Sequence, residues 1–236
     1  MISKPLLLAL LCLAVWACGA EPARDDRPTS VIYQDDFENG LENWVVEQQP
    51  GGTVEVKDGN LVIDDEKGCT VWFKRELHAP VRIRYHVTLS ADQRVSDMNC
   101  FWMASDPDHP DDLFAQGHGR TGAFATYDDL QLYYVGYGGN HNSTTRFRRY
   151  LGKGEKPLLE GYDLRGEQHL LKADHTYEIE LVADENGARY YRDGELVFEY
   201  EDPQPLSSGW FGFRTVWSKT IISDFKVERL EKGAGE

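Results

Sequence analysis

The chain has 236 residues, a formal net charge of −15 at pH 7, 41% hydrophobic residues and 12% aromatics. So acidic a balance disfavours nucleic-acid partners, because phosphates need a net basic face. Beyond the N-terminal leader no apolar stretch approaches the length that crosses a bilayer as a helix, and the remainder fits one domain.

Chain order begins with a leader. Lys4 supplies a basic start, and Pro5 to Val15 is an apolar run too short to span a membrane. Val15-Trp16-Ala17-Cys18 resembles a bacterial lipobox, although Trp16 departs from the small residue usual there. That resemblance implies that residues 1–17 are removed and that Cys18 is lipidated. The expected location is then the bacterial cell envelope, with membrane contact through the lipid anchor only. Glu21 to Ser30 is polar, has two Pro and lacks large apolar residues, so 18–30 reads as a flexible tether. A single domain is expected over 31–231, and 232–236 reads as a frayed tail.

Strand signals fill the domain. Val54-Glu55-Val56, the turn Asp58-Gly59-Asn60 and Leu61-Val62-Ile63 form a first hairpin signature. Thr70 to Phe73 is apolar and β-prone. Val81 to Val87 alternates strictly, which points Val81, Ile83, Tyr85 and Val87 to one side. Asn99 to Ala104 reads as a short buried run, and Leu130 to Tyr137 as a tyrosine-rich strand. Thr176 to Leu181 alternates again, and Asp193-Gly194 turns the chain between Arg189–Arg192 and Leu196–Tyr200. Gly209 to Thr215 and Thr220 to Arg229 close the domain. Many short strands without helical periodicity predict an all-β sandwich. Cys69 and Cys100 are its two cysteines. A disulfide and two buried thiols are both open, and no metal-type spacing is present.

Two irregular segments, Ser105 to Asp128 and Tyr150 to Asp174, flank the tyrosine-rich strand and would wall one cleft. From Arg120 to Tyr150 there are four Arg, two Asp and no Lys or Glu, so this stretch is basic in an acidic chain. Aromatics, amides and guanidinium forks suit an acidic sugar polymer, since Arg grips carboxylates in paired hydrogen bonds. The candidate catalytic set is His141, Tyr134, Arg146 and Asn140. The candidate substrate-binding set is Arg120, His118, Asn142, Tyr137, Trp102, Arg214 and Trp217. Tyr134 and Tyr137 have opposite parity, so only one belongs to a ligand-facing surface unless a bulge intervenes.

The closing run GWFGFRTVWSKTIISDFKVERL, the hairpin ARYYRDGELVFEY and the opening DDFENGLENWVVE resemble concanavalin A-like lectin and glucanase sandwiches. The resemblance implies a jelly roll of two curved antiparallel sheets. The middle, NCFWMASDP, DDLF and HGRTGAFATY, is similar to the YesU-like family, bacterial domains encoded among genes for degrading pectin and other acidic polysaccharides. Related sandwiches often hold a structural Ca2+ where the termini meet, and Asp35, Asp36, Glu38 and Asp224 are its candidate ligands. No other cofactor is expected.

The Glu-x-Asp-x-Glu strand of the retaining glucanases is absent. Glu178 and Glu180 have the right parity for a carboxylate pair but sit around an apolar residue, so hydrolysis is weakly supported. Polysaccharide β-elimination needs cations or amides on a uronate carboxylate and a base such as Tyr or His. The leading expectation is therefore a polysaccharide lyase acting on uronic-acid-containing polymer. A noncatalytic carbohydrate-binding lipoprotein and a glycoside hydrolase of the same fold are the alternatives.

Overall fold

A computed structural model describes residues 25–231. The leader, the lipidation candidate Cys18 and the tail 232–236 lie outside the described residues. In chain order the strands are β1 (Thr29–Asp35), β2 (Trp44–Gln48), β3 (Gly52–Lys57), β4 (Asn60–Asp65), β5 (Cys69–Phe73), β6 (Leu77–His78), β7 (Val81–Leu89) and β8 (Met98–Ser105). They continue as β9 (Gln131–Gly138), β10 (Thr144–Leu151), β11 (Asp163–Leu164), β12 (Thr176–Asp184), β13 (Gly187–Arg192), β14 (Glu195–Glu201), β15 (Ser208–Thr215) and β16 (Lys219–Leu230).

Two antiparallel sheets result. The first runs β14-β13-β12-β7-β16-β4-β3, with β1 also on β16. The second runs β11-β10-β9-β8-β15-β5-β2, with β6 on β15. The alternation of β7 does what period two requires: Val81, Ile83, Tyr85 and Val87 enter the core, and Arg82, Arg84 and His86 face out. From the opposite sheet come Cys69, Val71, Phe73, Cys100, Trp102, Tyr133, Val135, Tyr137, Phe211 and Phe213. The all-β sandwich expected from the sequence is the observed fold. Both cysteines are buried free thiols, which settles that open choice. Burial pushes the Cys100 thiol up to about 12.

The second sheet is apolar on both faces, and this decides where a site can lie. Its outer face carries Trp72, Phe101, Leu132, Tyr134, Tyr150 and Trp210. The segment 106–130 folds over them and adds Leu113, Phe114, Phe124 and Tyr127. Buried Glu47 anchors this cover. It accepts hydrogen bonds from Trp72 Nε1 (2.9 Å) and from Arg120 Nε (3.1 Å). Arg120 also meets Asp106 Oδ2 at 3.3 Å and donates to the Leu113 carbonyl.

The tether expectation needs correction at its C-terminal end. Residues 25–30 are docked, and β1 starts at Thr29. Arg27 Nη2 lies 2.6 Å from both Asp25 Oδ2 and Asp184 Oδ2, and Arg189 Nη2 lies 2.5 Å from Asp184 Oδ2. Burial alone would raise the Asp25 pKa. The hydrogen bonds and charge of Arg27, with the charge of Arg189, outweigh that and lower it to about 2. A depressed carboxylate stabilises the fold above its unfolded pKa of 3.8, and that contribution is lost as pH falls towards 2. Asp25→Asn should therefore melt a few degrees lower than wild type at pH 7. The gap should close between about pH 4 and pH 2; a pH-independent gap contradicts the assignment.

Candidate functional site

Register across the outer face of the second sheet places one row of side chains side by side. Arg146 on β10 pairs with Gly136 on β9, Gly136 with Asn99 on β8, Asn99 with Arg214 on β15, and Arg214 with Thr70 on β5. The Tyr134 side chain leans along its strand over Gly136, so a Cβ at 136 would collide with the Tyr134 hydroxyl. A glycine there gives the phenol its place.

Hydrogen bonding along this row is incomplete. Among the described residues Asn99 Oδ1, Arg214 Nε and the Tyr150 hydroxyl are buried without a partner. Tyr134 is 8% exposed. Native proteins rarely leave such groups unmet, and each calls for an explanation such as a catalytic role or a bound water or ion. Burial raises the Tyr134 pKa well above its ordinary value, with Tyr150 and Asp97 adding to it and Arg214 opposing, so the phenol stays protonated.

One wall comes from the cover. A 3-10 turn at Phe124–Tyr127 sets the Phe124 ring 5.6 Å from the Tyr134 ring. The Arg214 guanidinium lies 5.4 Å from the Phe124 and Tyr127 rings and donates to Gly122 O at 2.6 Å. Lys156, from the second irregular segment, lies over Phe124 at 5.5 Å and pairs with Asp128. The two segments meet beside the tyrosine-rich strand, as their flanking positions suggested.

A second group sits at the rim, beyond the ends of β8 and β15. The turn Gly139–Asn142 joins β9 to β10 with Asn140, His141 and Asn142 all left-handed, at φ 53°, 59° and 57°. Asn and His are among the side chains that tolerate that conformation best. The turn carries His141 to Arg94, whose Nη1 is 3.3 Å from His141 Nδ1. Arginine only donates, so Nδ1 accepts and neutral His141 carries its proton on Nε2. Arg94 also lies over the Trp217 ring at 5.1 Å.

The expected site residues thus separate. Tyr134, Arg146 and Arg214 share the row, and His141 and Trp217 share the rim. Arg146 is held by Asp163, 2.7 Å from Nε, at the row's outer end. Asn140 is exposed beside the rim and donates to Thr144 Oγ1 at 3.1 Å. The other five need correction. Trp102 and Tyr137 lie wholly within the core, out of reach of any sugar. Burial pushes the Tyr137 phenol up to about 12, against the opposing charge of Arg192. Asn142 clamps the Leu171 backbone, accepting from its N–H at 2.8 Å and donating to its carbonyl at 2.9 Å. Arg120 is buried as the strut of the cover. His118 Nδ1 accepts from Arg120 N at 3.1 Å, and its Nε2 faces Glu47 at 3.8 Å.

Asn99, Arg94 and Lys156 were not among the expected residues. Asn99 had a signal: it is the amide in an apolar run, at the parity opposite Cys100. The carboxylates considered for other chemistry are engaged. Asp35 accepts from Phe37 N (2.8 Å), Asn43 Nδ2 (3.1 Å) and Trp44 Nε1 (2.9 Å), and Asp224 pairs with His86 at 2.9 Å. No group of three or more metal-ligating side chains occurs among the described residues. Glu180 is buried on the first sheet, 3.3 Å from Arg82 Nε, rather than in a carboxylate pair open to solvent.

A family model described as Domain of unknown function (DUF6250) matches residues 63–225. The chain belongs to this family. No curated protein matches it. The DUF6250 domain is similar in fold to a Bacillus subtilis protein of unknown function with a galectin-like fold. That match has 17% identity and a TM-score of 0.69, and covers 86% of this chain and 98% of the other. It is also similar to an endo-beta-1,3-glucanase from Pyrococcus furiosus, at 10% identity and a TM-score of 0.62, covering 89% and 98%. A third match is the carbohydrate binding module CBM66 from Bacillus subtilis, at 12% identity and a TM-score of 0.55, covering 79% and 95%. Together they place the domain among galectin-like and concanavalin A-like jelly rolls.

Proposed function

We propose that this DUF6250 domain binds uronic-acid-containing polysaccharide on the outer face of its second sheet, through Tyr134, Asn99, Arg214 and Arg146. The carrying observation is the set of buried unpartnered groups, the Tyr150 hydroxyl, Asn99 Oδ1 and Arg214 Nε, on three strands of one face, with the Tyr134 ring among them. A sugar carboxylate suits the guanidinium groups, and ring hydroxyls suit the amide and phenol. A carbohydrate binding module and a glucanase with the same fold fit this reading, as does the resemblance to the YesU-like family.

Binding is favoured over β-elimination by the protonation of the base candidates. Elimination removes the proton on the carbon beside the carboxylate, breaks the glycosidic C–O bond, forms a C=C bond and returns a proton to the leaving oxygen. Tyr134 is held protonated, which suits proton donation only. His141 presents N–H outward, His118 faces Glu47 and Tyr137 is in the core. The Tyr134 hydroxyl beside Asn99 and two arginines keeps elimination as the second reading. Incubation with a panel of acidic polysaccharides tests both. Saturable binding without unsaturated-uronide absorbance supports the binding domain. A growing absorbance band supports the lyase, and the absence of both signals overturns the proposal.

Lipid tethering through Cys18 belongs to the same reading, since a membrane-held binding domain retains polymer at the cell envelope. Cys18→Ser should move the protein from the membrane to the soluble fraction; retention in the membrane contradicts the anchor.

A further inference from the structure

The rim residues Trp217, Arg94 and His141 are not needed for the row just described, yet the fold holds Trp217 in a costly position. Trp217 is 50% exposed and has φ 48°, a conformation bulky side chains avoid. Its backbone N–H is clamped by Asp65 Oδ1 at 2.7 Å, and Asp65 is fully buried. Beneath it, Arg94 donates to Val216 O at 2.5 Å, Trp217 O at 3.2 Å and Asp97 Oδ2 at 2.8 Å. That pairing also offsets the Asp97 charge, which would otherwise repel an anion. Four of the five guanidinium hydrogens are engaged, counting the bond to His141, and one on Nη1 is left. Arg94 therefore fixes an indole and an imidazole N–H at one edge of the sheet.

The rim continues the row. Asp97 lies two residues before Asn99, and Val216 two residues after Arg214, about 7 Å along each strand. A polymer leaving the row in this direction meets Trp217 and His141 next.

We propose that Trp217 and His141 form a second carbohydrate subsite, which takes the neighbouring uronate residue of a chain already seated on the row. The indole is the stacking platform for the sugar ring. His141 Nε2–H and the remaining Arg94 Nη1 hydrogen are the donors for its carboxylate. Arg94 is chiefly a positioning residue. The consequence is length dependence: the domain recognises a chain rather than a terminal sugar, an inference that rests on the proposed row.

The test is calorimetric titration of the whole domain with oligogalacturonates of two and six residues, repeated with oligoglucuronates. Wild type should bind the hexamer more tightly than the dimer. Trp217→Ala should weaken hexamer binding at least about tenfold and leave dimer binding unchanged. Trp217→Phe, which keeps a platform, should restore most of the loss, and His141→Ala should weaken the hexamer alone. Equal wild-type affinity for the two lengths overturns the subsite and leaves the row standing. So does a Trp217→Ala protein that binds both as wild type does, or that loses both equally. No binding of either length by wild type overturns the row and the subsite together.

Discussion

Arg120→Ala should destabilise the domain by about 3–5 kcal/mol, the range for breaking a buried ion pair and leaving its partners uncompensated. Glu47 and Asp106 are both buried and both face this guanidinium. Its loss leaves two carboxylates without their cation beneath the 106–130 cover, and the Leu113 carbonyl without a donor. Denaturant unfolding should show a lower midpoint. Loss of affinity for acidic and neutral sugars alike should follow, because the wall carrying Phe124 loosens. A variant with wild-type stability and a selective loss of acidic ligand would return Arg120 to the binding site.

Asn99→Leu should behave in the opposite way. The substitution removes a buried amide whose Oδ1 has no partner and replaces it with an apolar side chain of similar size. Desolvating an unpaired polar group costs about 1–3 kcal/mol, so stability should be unchanged or rise by up to about that amount. Affinity for an acidic hexasaccharide should nonetheless fall at least about tenfold. A functional residue that costs stability is the signature of a site that waits for its ligand. Lower stability with unchanged affinity would make Asn99 structural.

These two residues also show how far a sequence carries. Strands whose one face meets the core, such as Val81 to Val87, announced themselves by alternation. Hairpins with Asp-Gly turns did the same. The second sheet did not, because segment 106–130 buries its outer face too. Asn99 to Ala104 is therefore an apolar run in which only the amide of Asn99 marks a face, and Trp102 was indistinguishable from a surface platform. The opposite parity of Tyr134 and Tyr137 was legible; which one faces outward was not. Charged residues were misread for a related reason. Arg120 sits in a glycine-rich loop, but its partner Glu47 is 73 residues away, on β2. The left-handed turn at Asn140–Asn142 was readable as a turn, not as the device that brings His141 to Arg94.

A uronate polymer should complete the hydrogen bonds left open around Asn99. The most direct measurement is the NMR signal of the Asn99 side-chain amide during titration with an oligogalacturonate hexamer. This signal should shift and saturate with the ligand, while the amide of Asn142, already bonded to Leu171, stays in place. Saturable hexamer binding that leaves Asn99 unmoved and perturbs amides elsewhere would contradict it.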